Sequence, residues 1–172
     1  MIYLNNEFIE DARDWAVSRA SFMCDKYCFS DVTDAKKLEH SFRGRLAENV
    51  FKSWLLMNDV EFVHNPSKPG EIDEYDFLIE GKKIDVKCVK YSHPYLIDKK
   101  EVYTNRPKDF YVAVALNEAN TGGEVLGWVD HVDLGKKEMT FGFVLDVCFP
   151  LKCLNSIDSL MGVLKPLELW EL

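Results

Sequence analysis

The stretch "YDFLIEGKKIDVK", Tyr75 to Lys87, leaves its backbone few choices. Apolar and polar residues alternate on both sides of Glu80-Gly81, and two short alternating runs flanking a glycine turn read as a β-hairpin. If Glu80-Gly81 is a two-residue turn, Ile79 stands opposite Lys82. Each step outward keeps the same pairing sum, so Asp76 stands opposite Asp85. The period of two then puts Glu74, Asp76 and Leu78 on one face with Lys83, Asp85 and Lys87. Tyr75, Phe77, Ile79, Ile84, Val86 and Cys88 occupy the other. The second of these faces is expected to be core, and the first carries the carboxylates.

Facing carboxylates need a reason. At about 5 Å between cross-strand Cβ atoms, two negative charges repel by roughly 3 kcal/mol at an effective dielectric near 20. A hard divalent ion such as Mg²⁺ offsets this best, because it takes oxygen ligands and commonly uses one or two carboxylates. The plainer reading is that both side chains splay into water and are screened.

The chain before the hairpin is helical by pattern. "EFIEDARDWAVSRASFMCDKY" spaces its apolar residues near helical intervals. "AKKLEHSFRGRLAENVFKSWLLMND" can be capped by Thr33 or Asp34 and carries the stripe Leu46, Ala47, Val50, Phe51, Trp54 and Leu55 until Asn58-Asp59 ends it. Glu48 lies at the margin of that stripe, on the line of Gly44, Phe51 and Leu55, where it reaches either inward to a sheet or out to solvent.

Strand signals surround and follow the hairpin. "VEFVHN" is a short run closed by "PSKPG", and "DFYVAVAL" is a continuous strand of the fully buried type. "YSHPYLIDKKEVYTNRPKD" reads as irregular with at most one short strand, and "GGEVLGWVDHVDL" as another strand. "FVLDVCFPLKCLNSIDSLMGVL" reads as a strand or loop leading to a short helix capped by Asn155 or Ser156. Helices on a mixed sheet give an α/β or α+β fold. No linker divides the 172 residues, so one domain over 1–172 is expected.

Charge bears on partners. The net charge is −8, yet Lys82 to Lys108 holds eight basic residues against three acidic ones, a local excess of +5 that leaves −13 elsewhere. A basic stretch on an acidic body can hold a polyanion, because phosphate contacts act within a Debye length of about 8–10 Å. Taken alone, it reads more readily as a solvated lysine-rich surface. The beginning of the chain lacks the basic and apolar regions of a secretory signal, and "FYVAVAL" is too short to span a bilayer, so a cytoplasmic protein without a membrane partner is expected. Five cysteines, an odd number, then read as reduced thiols. Cys24, Cys28, Cys148 and Cys153 form two pairs, neither with the two-residue spacing of common zinc knuckles. His40, His64, His93 and His131 share no spacing and read as structural.

Helical Glu48, then Asp76 on one strand, then "DVK" (Asp85, Val86, Lys87) on the next resembles the PD-(D/E)XK nuclease superfamily, which includes restriction endonucleases, Holliday junction resolvases and several phage exonucleases. The resemblance runs from about Gly44 to Leu116, including "DFYVAVAL"; "GWV", Gly127 to Val129, is similar to small phage and archaeal members. Tyr75 stands where the family pattern has proline. What the resemblance implies is a restriction endonuclease-like mixed β-sheet core flanked by helices and a metal-dependent nuclease, an endonuclease acting on DNA. Asp76 and Asp85 would bind Mg²⁺ or Mn²⁺ with the Val86 carbonyl and Glu48, and Lys87 would orient or help deprotonate the attacking water. Lys90, Lys99, Lys100 and Arg106 would contact phosphates. Many relatives dimerise to cut two strands, so a homodimer is compatible with the resemblance, although no interface is legible in the sequence.

Two alternatives stay open. Lys87 can be only a charge partner for Asp85 or Glu74. The whole chain can be an inactive nuclease-fold module that binds nucleic acid or a protein, since a fold alone does not specify chemistry.

Overall fold

The computed structural model describes residues 1–26, 34–65, 74–141 and 144–164. "PSKPG", Thr33 and Cys28 lie outside the described residues. In chain order the elements are β1 (Ile2–Tyr3), α1 (Asn6–Lys26), α2 (Asp34–Met57), β2 (Val63–His64), β3 (Phe77–Ile79), β4 (Lys82–Val89), β5 (Tyr95–Lys99), α3 (Lys100–Asn105), β6 (Phe110–Leu116), β7 (Gly122–Asp130), α4 (His131–Leu134), β8 (Glu138–Phe141), β9 (Val144–Pro150) and α5 (Ile157–Leu164). The fold is mixed α/β. A six-stranded sheet runs β1-β7-β6-β4-β3-β2, parallel only between β4 and β6, and a separate antiparallel sheet runs β5-β9-β8.

The hairpin forms in the expected register, with Ile79 opposite Lys82, Leu78 opposite Lys83 and Phe77 opposite Ile84. Its turn residues Glu80 and Gly81 have φ of 47° and 72°, the pair of positive values that a type I′ turn requires. Glycine adopts this freely, whereas glutamate does not. Replacing Glu80 with asparagine, the residue favoured at that position, should raise the unfolding free energy by about 0.5–1 kcal/mol, read as a later urea midpoint at unchanged slope.

The α2 stripe packs as its spacing predicts: Leu46, Ala47, Val50, Phe51 and Leu55 are fully buried against one face of the large sheet. Asn5 caps α1, its Oδ1 accepting from the Phe8 amide at 3.0 Å, and α1 packs on α2. After Leu55, Asp59 at φ 52° turns the chain out of the helix.

Other expectations change. The strand in "EYDFLIE" shortens to three residues and that in "VEFVHN" to two. The segment read as irregular contains both β5 and α3, and the unanticipated β8 pairs with β9. The largest correction concerns the carboxylate face of the hairpin, which is covered around Asp85 and Lys87 while Glu74 stays exposed. Val89, Leu96, Tyr111, Ala113, Ala115, Val129, Leu134 and Val147 make a second buried cluster between the small sheet and the large one. Every residue of β6 is buried as a result, which is why "FYVAVAL" lacks alternation. Gly127 belongs to this geometry too: at φ 152°, a Cβ there would sit 2.4 Å from the Asn155 carbonyl oxygen. No helix among the described residues is long and apolar enough to cross a membrane.

Candidate functional site

Asp76 ends the regular ladder. It sits one residue before β3; its amide donates to the Ile84 carbonyl at 3.0 Å, and its carboxylate accepts from the Val86 amide at 2.6 Å. A side chain thus takes a place that backbone would fill in a longer strand. Val86 meets Asp76 through its N–H. Burial, then the charges of Glu48 and Asp85, push the Asp76 carboxyl well above the usual carboxylate range; the Val86 amide and Lys87 offset this only in part. Helical Glu48 and both hairpin aspartates therefore share one electrostatic environment.

Asp85 is buried, not splayed into water. Its Oδ2 lies 2.8 Å from Lys87 Nζ and its Oδ1 lies 3.4 Å from Lys108 Nζ. The Lys87 contact is an ion pair without hydrogen-bond alignment at Oδ2. Lys87 reaches a second carboxylate, Asp98 Oδ1 on β5, at 2.9 Å. Burial alone would lower the lysine pKa, but Asp85 and Asp98 outweigh it and hold the group above the ordinary lysine value. A lysine so held stabilises charge and orients water; it is a poor proton acceptor. Glu74, its other candidate partner, pairs with Lys83 instead, at 3.1 Å.

Glu48 points toward the site and is held there. Its Oε2 accepts from Arg45 Nη1 at 2.9 Å and lies 3.4 Å from His64 Nε2. Arg45 is buried and grips Asp11 on α1 through Nε at 2.8 Å and Nη2 at 3.3 Å, with its guanidinium over the Trp15 ring. Burial would raise the Asp11 pKa, yet hydrogen bonds from Arg45 and Asn49 bring it below the usual value. Because guanidinium only donates, the 3.1 Å Arg45–His64 contact makes Nε2 the acceptor and puts the neutral ring's proton on Nδ1.

His64 was read as structural, and the structure brings it to the site. Paired with Phe77 and stacked on its ring at 4.6 Å, it lies one residue from Asp76 along the β2–β3 ladder. Only that long-range pairing reveals it. Asp98 on β5 and Lys108, two residues before β6, are further additions, both drawn in from the segment read as irregular.

The basic run does not form an open positive surface. Five of its eight bases face carboxylates: Lys82 with Asp109, Lys83 with Glu74, Lys87 with Asp85 and Asp98, Lys100 with Glu138, and Lys108 with Asp85. Among the candidate phosphate contacts, Lys90 and Lys99 are exposed, Arg106 is half-buried, and Lys100 is paired with Glu138, its ammonium also over the Tyr103 ring. Lys100 begins α3 and Lys99 and Arg106 flank it, whereas Lys90 follows β4 in the other sheet. Of the four cysteines in the spaced pairs, Cys148 is buried in β9 and Cys153 is exposed beyond it.

No protein-family model, curated protein or solved structure matches the chain. The residues alone must therefore carry the functional reading. In charge and donor type, Glu48, Asp76 and Asp85 suit a hard cation: all are carboxylates, and burial, then the charges of Glu48 and Asp85, drive Asp76 toward its neutral form. In arrangement, no group of three or more His, Cys, Asp or Glu side chains among the described residues is set to hold a metal ion. Lys87 and Lys108 occupy Asp85 instead.

Proposed function

We propose that the chain is a metal-dependent nuclease of the PD-(D/E)XK type, with a restriction endonuclease-like core, that hydrolyses DNA phosphodiester bonds as an endonuclease. The observation that carries this reading is that helical Glu48 and the hairpin carboxylates Asp76 and Asp85 share one electrostatic environment beside an ammonium held 2.8 Å from Asp85. Glu48, Asp76 and Asp85 would hold Mg²⁺ or Mn²⁺. The ion would lower the pKa of bound water and stabilise charge on the scissile phosphate. The chain's own part is to orient: Lys87 aligns the attacking water and balances charge on the phosphoryl oxygens, while Arg45 steadies Glu48 and donates to His64. Water oxygen bonds to phosphorus as the phosphorus–ester oxygen bond breaks, leaving a phosphate monoester and an alcohol. Lys90, Lys99, Lys100 and Arg106 serve as phosphate contacts, and a homodimer would bring two sites to two strands. A cytoplasmic setting goes with this reading.

One observation favours a second reading, an inactive nuclease-fold module that binds nucleic acid or a protein. Both Asp85 oxygens already face ammonium groups, so the site is partly neutralised from within. The two readings part on supercoiled, linear, single-stranded and four-way-junction DNA incubated with Mg²⁺, Mn²⁺ or EDTA. Metal-dependent cleavage that disappears in Asp85→Ala and Lys87→Ala is the expected result. Absence of cleavage by wild type, or equal cleavage by the variants, would leave the binding module standing.

A further inference from the structure

Lys87 is clasped by carboxylates from two sheets, and only one belongs to the hairpin motif. Asp85 is two residues back on its own strand, while Asp98 comes from β5, a strand of the small sheet. Asp98 is 5% exposed; its Oδ1 also accepts from the Lys99 amide at 3.0 Å, and its Oδ2 is buried without a hydrogen-bond donor among the described residues. Leu96 and Val147 beside it are fully buried. A carboxylate with one unsatisfied oxygen in such surroundings costs free energy.

A staple between the sheets does not explain it. Buried ion pairs stabilise no better than apolar residues of similar volume, and here one carboxylate oxygen stays unmet. Position does explain it. A lysine has four rotatable side-chain bonds, so with Asp85 as sole partner its ammonium could follow that carboxylate wherever it turned. A second anion fixes the ammonium between two anchors.

We propose that Asp98 is a positioning residue that holds the Lys87 ammonium in place beside the Glu48–Asp76–Asp85 cluster. The proposal rests on the nuclease reading for its purpose, but the contact it describes can be measured without cleavage. Asp98 acts through Lys87 and touches neither substrate nor the reacting atoms.

The test compares full-length wild type, Asp98→Asn, Lys87→Gln and the double variant. Asp98→Asn should lower kcat with Mg²⁺ by about 10–100-fold at unchanged KM, the usual effect of losing an outer-shell partner. It should add nothing in the Lys87→Gln background. Independently, the ¹⁵N–¹H ammonium correlation of Lys87, identified by its loss in Lys87→Gln, should shift or broaden in Asp98→Asn. An unmoved ammonium signal, additive losses in the double variant, or a change confined to KM would overturn the proposal. If wild type does not cut at all, the nuclease reading fails and the ammonium signal still decides whether Asp98 positions Lys87. Should Asp98→Asn not fold, Asp98→Glu keeps the charge but displaces the ammonium: a similar fall in kcat supports the proposal and wild-type kcat overturns it.

Discussion

Asp76→Asn should make the metal-free protein more stable at pH 7 while abolishing its metal-dependent cleavage. Asparagine keeps an oxygen for the Val86 amide but carries no charge toward Glu48 and Asp85. The sign follows from linkage. The folded chain binds the Asp76 proton more tightly than the unfolded chain does, so folding stability falls as pH rises from the ordinary carboxylate range through the raised folded value, and the lost increment stays lost above it. Wild type in EDTA should therefore show a lower melting temperature at pH 7 than under mildly acidic conditions, apart from what other groups contribute. Asp76→Asn should show less of that fall. Under the proposed function the variant would forfeit a ligand of the ion, whose charge stabilisation is worth several kcal/mol, so cleavage should drop at least about 10²-fold. Gain in stability with loss of activity is the pattern of a residue kept for function. A melting temperature below wild type at pH 7 would show that the Asp76 charge is already compensated.

Arg45→Met should be the most destabilising single change at the site. The guanidinium is buried and joins α1 to α2 through Asp11, supports Glu48, and touches His64. Its removal leaves Glu48, at 19% side-chain exposure, without its main cation. Breaking a buried pair from one side costs about 3–5 kcal/mol; since the Asp11 side chain is 43% exposed and can turn to water, the lower end applies, about 3 kcal/mol. Arg45→Lys should cost less, because charge survives while the two-pronged grip on Asp11 does not. Urea unfolding at constant slope measures both. A loss under about 1 kcal/mol for Arg45→Met would mean that the network contributes geometry and little stability.

Much of the hairpin was legible because its information is local. A two-residue turn sets the register of the pairs next to it, and Phe77 with Ile84 follows that arithmetic; the ladder ends there, where the Asp76 amide donates to the Ile84 carbonyl, so Asp76 against Asp85 is not one of its pairs. The α2 stripe was legible for a similar reason, since helical spacing alone decides which side chains share a face. The burial of the carboxylate face was not. Alternation in "KKIDVK" looked like one wet face and one dry one, yet β5 and β9 cover the wet side, and their residues lie beyond a stretch with no clear period.

The charge run shows the same division. Its eight bases were countable, but whether a lysine meets DNA or a carboxylate depends on partners as distant as Glu138 for Lys100. The sequence by itself determined the hairpin turn, the lysine two residues from Asp85 and a helix carrying Glu48, because turn geometry and side-chain period act over a few residues. Only the tertiary structure decided the company they keep. Arg45, His64, Asp98 and Lys108 reach the site through helix packing, edge pairing and the approach of a second sheet, contacts with no local period to announce them.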